Sequence, residues 1–194
     1  MTTNTPFKLA VLISGEGSNL QAIMDAIDAG TLDASIEIVI SNKASANGLN
    51  RASQAGIPAV VVAPVKGQSR EEYDQCLLAT LATSAPDLVV LAGFMRILSA
   101  GFVHSFAERI INIHPSLLPA YKGMDTHQRV LDAGETYHGA TVHFVTEELD
   151  DGEIIIQSRI KISADDDANS LQQRVHIEEH VIYPRAIQWL SDKR

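Results

Sequence analysis

The chain has 194 residues, 45% of them hydrophobic and 20% charged, the balance of a folded globular protein with length enough to bury a substantial core in one domain, 1–194. Acidic residues outnumber basic ones 24 to 15, for a net charge of −9, which excludes broad electrostatic binding to nucleic acid or an anionic membrane and leaves any anionic ligand to a local site. The single cysteine, Cys76, rules out an intramolecular disulfide and a cysteine metal cluster, and reads as a packed thiol on a helix.

Residues 1–6 are polar and lack the basic start and apolar core of a signal peptide. No apolar run reaches the roughly 20 residues that a membrane helix needs, so the expected location is the cytoplasm. Beyond them, apolar runs alternate with longer helical patterns. Strands are expected over 9–13, 36–40, 59–62, 88–91 and 110–113, with helices over 19–29, 48–55, 70–83 and 99–106. Near-continuous apolar strands alternating with helices indicate a doubly wound α/β fold whose mostly parallel sheet is covered on both faces. After Pro119 the pattern changes. Runs 140–145 and 153–162, joined by the acidic turn 146–152, read as an antiparallel C-terminal extension of the same sheet. A long helix from about 167 to 190 closes the chain, interrupted or kinked by Pro184.

Three segments carry chemistry. Ser14-Gly15-Glu16-Gly17-Ser18-Asn19 leaves the first strand and opens the first helix. Its glycines let backbone N–H groups approach an anion at the positive end of the helix dipole. It reads either as a phosphate cradle or as a tight turn capped by Ser18 or Asn19. The spacing matches neither G-x-G-x-x-G nor a P-loop, so a monophosphate suits it best. The run 91–98 leaves the fourth strand through Gly93 and offers either an apolar wall for a flat ring or ordinary core.

The third segment is Asn112-Ile113-His114-Pro115-Ser116-Leu117-Leu118-Pro119. In an extended backbone Asn112 and His114 point to the same face, so two donors can converge on one polar atom. Pro115 and Pro119 restrict the chain around them. This is either an oxyanion-stabilising pair or a strand end with a satisfied histidine. Ser116 lacks the G-x-S-x-G elbow of a nucleophile, and the seven histidines show no recognised metal spacing.

Taken together, Ser14 to Leu20, Ala92 to Leu98, Asn112 to Pro119, and Val142-His143-Phe144-Val145 followed by Leu149-Asp150 closely resemble the folate-dependent formyltransferase family, in its glycinamide ribonucleotide branch. The resemblance runs along nearly the whole chain. The branches that formylate methionyl-tRNA or deformylate formyltetrahydrofolate are similar in their catalytic domain but carry a further C-terminal or N-terminal domain, neither of which is expected here. The resemblance implies a Rossmann-like fold and transfer of a formyl group from 10-formyltetrahydrofolate to the glycinamide amine through a tetrahedral intermediate, as a step of purine biosynthesis. It implies that Asn112, His114 and Asp150 are catalytic. Gly17, Ser18 and Asn19 would hold the phosphate region of glycinamide ribonucleotide, with His176, Ile177, Glu178 and Glu179 closing on it from the last helix. Arg70, Met95, Arg96, Ile97, Leu98, Asn112, Thr146, Glu147, Glu148, Leu149 and Asp150 would bind the folate. The implied partners are small-molecule substrates, with no metal, nucleic acid or membrane, and the protein is expected to be a monomer or homodimer. This sequence departs from the family pattern at Glu16, often asparagine; at Asp151, the first glycine of a usual Leu-Asp-Gly-Gly; and at Lys122, Met124 and Asp125, in a loop that often reads Pro-Gly-Leu-His.

Overall fold

The computed structural model describes residues 6–194; of the polar N-terminal stretch, residues 1–5 lie outside the described residues. In chain order the elements are β1 (Phe7–Ile13), α1 (Ser18–Asp28), β2 (Ala34–Ser41), α2 (Asn47–Gln54), β3 (Ala59–Val61), α3 (Arg70–Ala82), β4 (Leu88–Leu91), α4 (Ala100–Ser105), β5 (Ile110–His114), α5 (Thr126–Asp132), β6 (Tyr137–Phe144), β7 (Ile154–Lys161) and α6 (Ala168–Ser191). The strands form one seven-stranded sheet in the order β3-β2-β1-β4-β5-β6-β7. β1 to β5 pair in parallel, whereas β6 and β7 are antiparallel.

The twofold alternation of strand side chains sends successive residues of β1 into two separate cores. Leu9, Val11 and Ile13 pack with Leu20, Ile23 and Met24 of α1 and with Val175, Ile182, Tyr183, Ala186 and Ile187 of α6. Ala10 and Leu12 face the opposite way, onto Tyr73, Leu77 and Leu81 of α3 and Phe102 and Val103 of α4. Tyr183 fastens α6 to the middle of the sheet, its hydroxyl donating to the carbonyls of Leu91 at 2.9 Å and Ile111 at 3.2 Å. With both faces of the central strands covered, these strands meet a ligand at their ends. The chain turns from β1 to β2 on one side and to β4 on the other, so the carboxyl ends of β1 and β4 leave a crevice at this switch point.

Several local expectations are corrected. α5 arises from THQRVLD, where only Thr126 and Val130 are buried, too few apolar positions to announce a helix. β3 is exposed along its whole length, because it is a three-residue strand at the edge of the sheet. Cys76 is exposed, since it stands on the solvent side of α3 while Tyr73 and Leu77 face inward. α6 runs through Pro184 without interruption; one helix hydrogen bond is forgone there, but Tyr183, Pro184, Ala186 and Ile187 are all buried against the sheet and hold the helix in place.

Candidate active site

At the end of β1, Ser14 ties three strand ends together. Its hydroxyl donates to Asn42 Oδ1 at 2.6 Å and accepts from the Met95 N–H at 2.7 Å. The following loop opens α1, whose N-cap is Gly17 in the left-handed region, with no side chain capping the helix. The cap is therefore neither Ser18 nor Asn19, and the first N–H groups of α1 receive no side-chain cap. Gly17 is also sterically required: a Cβ there would lie 2.7 Å from Gly48 Cα in α2.

These residues open onto a cleft of about 1000 Å³. On its α6 side stand His176 and Glu179. Glu179 is only 4% exposed and accepts from Asn19 Nδ2 at 2.8 Å. Burial pushes its carboxyl up to about 7 despite the opposing Asn19 hydrogen bond. The carbonyl oxygen of the Asn19 side chain is buried without a partner among the described residues. Ile177 is 62% exposed and Glu178 accepts from Ser158 Oγ; neither lines the cleft, because residues 176 and 179 share a helix face that 177 and 178 do not.

β5 presents Asn112 and His114 into the same cleft. Asn112 pairs across the strands with His143, its Nδ2 donating to His143 Nε2 at 3.3 Å, while His143 Nδ1 donates to the Phe144 carbonyl at 2.8 Å. Burial lowers the His143 pKa, which favours the neutral tautomer this chain of bonds requires. Among the described residues the Asn112 amide nitrogen has this one partner. His114 Nε2 donates to the Tyr121 carbonyl at 2.9 Å, and its Nδ1 stands 3.4 Å from Asp150 Oδ2 with both side chains under a tenth exposed. Asp150 is fixed in turn by the Gly123 N–H, which donates to Oδ2 at 2.9 Å. The arrangement leaves Nδ1 of His114 as the nitrogen available to a reacting group, with a carboxylate beside it.

The loops carrying these partners are pinned by polar contacts that apolar periodicity does not reveal. Ser116 Oγ donates to the Ala120 carbonyl at 2.7 Å and Thr141 Oγ1 to the Ser116 carbonyl at 2.6 Å, so Ser116 is a buried loop anchor. Gly152 has no room for a side chain, as a Cβ would lie 1.7 Å from the Phe144 carbonyl oxygen. Two of the departures from the family pattern meet here, since Lys122 pairs with Asp151. A third is also paired: Glu16 binds Arg51. Met124 is 69% exposed, and Asp125 caps α5 from the left-handed region, a conformation aspartate tolerates better than most residues.

The same cleft is lined by Met95, Arg96, Ile97, Leu98 and the segment 145–150. Met95 and Ile97 are 60% and 53% exposed, apolar surface left open along the cleft. Arg96 lays its guanidinium over the Tyr73 ring at 4.1 Å. Arg70 begins α3 and does not line the cleft. His127, half-buried, contacts the buried His138 at 3.0 Å; burial lowers each to about 4, so both are neutral near pH 7. Among the described residues no group of three or more His, Cys, Asp or Glu side chains is arranged to hold a metal ion.

A formyl transferase family model matches residues 7–187. The chain belongs to the formyl transferase family. The phosphoribosylglycinamide formyltransferase of Escherichia coli (strain K12) is 50% identical over 186 residues, which cover 96% of this chain and 88% of that protein. The trifunctional purine biosynthetic protein adenosine-3 of Drosophila melanogaster is 50% identical over 185 residues, 94% of this chain and 14% of that larger protein. The phosphoribosylglycinamide formyltransferase of Coxiella burnetii superposes with a TM-score of 0.93 at 48% identity, covering 98% of this chain and 89% of that one. For this formyl transferase the residue reading missed Tyr121 and His143, which orient His114 and Asn112. The signal for His143 was present in the antiparallel extension, since pairing of 110–113 with 140–145 brings it near Asn112; the Tyr121 contact is a backbone carbonyl and leaves no mark in residue type.

Proposed function

We infer that this chain transfers the formyl group of 10-formyltetrahydrofolate to the glycinamide amine of N1-(5-phosphoribosyl)glycinamide, a step of de novo purine biosynthesis carried out in the cytoplasm by a monomer or homodimer. The observation that carries the reading is that one cleft is lined both by Asn112, His114 and Asp150 and by the start of α1 with Asn19, His176 and Glu179. Strong identity to two phosphoribosylglycinamide formyltransferases supports it. No helix among the described residues is long and apolar enough to cross a membrane.

The residues fit both substrates. Backbone N–H groups at Gly17, Ser18 and Asn19 suit a phosphate, and Glu179 is placed to accept from sugar hydroxyls. Met95, Ile97, Leu98 and Leu149 offer apolar surface for a flat heterocycle, with backbone groups of 146–150 for its polar edge. When the amine attacks the formyl carbon, negative charge develops on the formyl oxygen. The free N–H of Asn112 and the Nδ1–H of protonated His114 donate to that oxygen, each worth roughly 3–4 kcal/mol in a well-placed oxyanion site. Asp150 supplies the counter-charge to the imidazolium, and Tyr121 fixes the ring through Nε2. The attacking nitrogen gives up a proton, the folate nitrogen gains one, and the bond from that nitrogen to the formyl carbon breaks. Hence no covalent enzyme intermediate is required.

Incubation with 10-formyltetrahydrofolate alone is expected to release little formate, because closure around both substrates favours aminolysis over attack by water. Adding glycinamide ribonucleotide should yield tetrahydrofolate and the formylated ribonucleotide in equal amounts. Rapid formate release without the amine would instead make the chain a hydrolase, and absence of turnover with both substrates would overturn the reading.

A further inference from the structure

The phosphate loop carries a carboxylate where an anion is to be bound. Glu16 lies between Gly15 and Gly17 and lines the cleft, so a freely moving side chain would sweep the space in front of the α1 N–H groups. In the structure it is turned onto α2. Asn47 Nδ2 donates to Glu16 Oε1 at 2.9 Å, and Arg51 forms an ion pair with the same oxygen. Arg51 Nε also donates to the Glu16 backbone carbonyl at 2.9 Å, and a third nitrogen donates to Gln21 Oε1 at 3.2 Å. Every nitrogen of the guanidinium is thereby engaged with the loop or with α1. Both partners of Glu16 stand on α2, whose first turn meets the loop directly: the Gly48 N–H donates to the Gly15 carbonyl at 3.1 Å.

We propose that Arg51 is a positioning residue for phosphate recognition, which holds the Glu16 carboxylate against α2 and away from the place of the substrate phosphate. The proposal rests on the reading of the Gly17 to Asn19 loop as the phosphate cradle. Arg51 acts by disposing of a charge and does not touch the substrate. The neighbouring negative charge is tolerated at the loop because it is neutralised and tethered, and removing the tether leaves a mobile carboxylate facing a dianion.

The test is steady-state kinetics of Arg51→Gln and of the double variant Arg51→Gln, Glu16→Gln. The single variant is expected to raise KM for glycinamide ribonucleotide by about fivefold or more at low salt, with kcat and KM for the folate little changed, and the increase should shrink at high ionic strength. The double variant should return KM to within about twofold of the unaltered enzyme, because the charge is gone together with its restraint. An unchanged KM in Arg51→Gln, or a loss that the second substitution leaves in place, overturns the proposal and makes Arg51 a structural or direct binding residue. Calorimetry of the unaltered enzyme with ribosyl glycinamide lacking its phosphate separates the two levels. If that compound binds as tightly as the phosphorylated substrate, the cradle reading falls and the role of Arg51 with it; if only the kinetic rescue fails, the cradle stands and Arg51 is misassigned.

Discussion

The parallel and antiparallel parts of the sheet meet water differently, and the chemistry lies along the seam between them. In β1 and β4 almost every residue is buried, and their side chains divide between two apolar cores. β7, at the antiparallel edge, has only intermediate and exposed positions and no fully buried one, and the loops 115–125 and 146–152 beside β6 are held mainly by polar contacts. The parallel part supplies a stiff frame with a helix start pointing at the cleft. The seam itself, β5 and β6 with the loops beyond them, supplies His114, His143 and Asp150, each oriented by a backbone carbonyl or amide: His114 by Tyr121, Asp150 by Gly123 and His143 by Phe144. On the proposed function, binding of the charged substrate and activation of the formyl group fall to structurally different regions.

The largest expected effect breaks the catalytic side of this division. His114→Ala and Asn112→Ala should each lower kcat by about 10²–10³-fold, the usual consequence of removing one oxyanion donor. Thermal melting and circular dichroism should still report a folded protein, because neither residue belongs to the two apolar cores. A folded variant with near-normal kcat would remove its residue from the oxyanion assignment.

A second effect belongs to the parallel side. Glu179, buried against Asn19, is pushed up to about 7 from an ordinary 4.5. The unfolded carboxyl loses its proton near 4.5 while the folded one keeps it to about 7, so the unfolded state binds fewer protons within that window. Stability contributed by the protonated group is thus fully present below pH 4.5, declines as pH rises to about 7, and is level above, a change of about 3 kcal/mol. Glu179→Gln cannot titrate. Its melting temperature relative to the unaltered protein should climb between pH 4.5 and 7 and then stay flat; a difference independent of pH would show that Glu179 is ionised across the range.

The same division explains what could be read from the residues alone. β1, β2, β4 and the long α6 were legible because burial on both faces, or along one side, demands runs of apolar residues that periodicity detects. α5 was not, since a seven-residue helix with two buried positions leaves too faint a pattern, and Cys76 was misjudged because one residue type does not tell which side of α3 it occupies. At the site, Asn112 and His114 announced themselves by their spacing on one strand. Asp150 lies 36 positions beyond His114 in the chain, and only the resemblance to a family joined them; the structure brings them within 3.4 Å. Arg70, suggested by the same resemblance, stands outside the cleft lining. The Gly17 cap was missed because Ser18 and Asn19 are the better cap formers by type, whereas the close approach of Gly48 and the positive φ require glycine one position earlier.

The smallest effect sharpens the comparison. Lys122 and Asp151 join the loop that orients His114 to the loop that carries Asp150, and both are departures from the family pattern that find each other. Their side chains are 35% and 52% exposed, so water and salt screen the pair and two mobile side chains must be ordered to make it. The neighbouring contacts, from Gly123 to Asp150 and from His114 to Tyr121, are more buried and do not depend on it. A double-mutant cycle with Lys122→Ala and Asp151→Ala should therefore give a coupling of about 0.2–1 kcal/mol in stability and change kcat less than about threefold. A coupling well above 1 kcal/mol, or a kcat loss approaching that of His114→Ala, would mean that the antiparallel loops are set by their surface charges, and that the buried carbonyl and amide contacts alone do not hold the catalytic histidine.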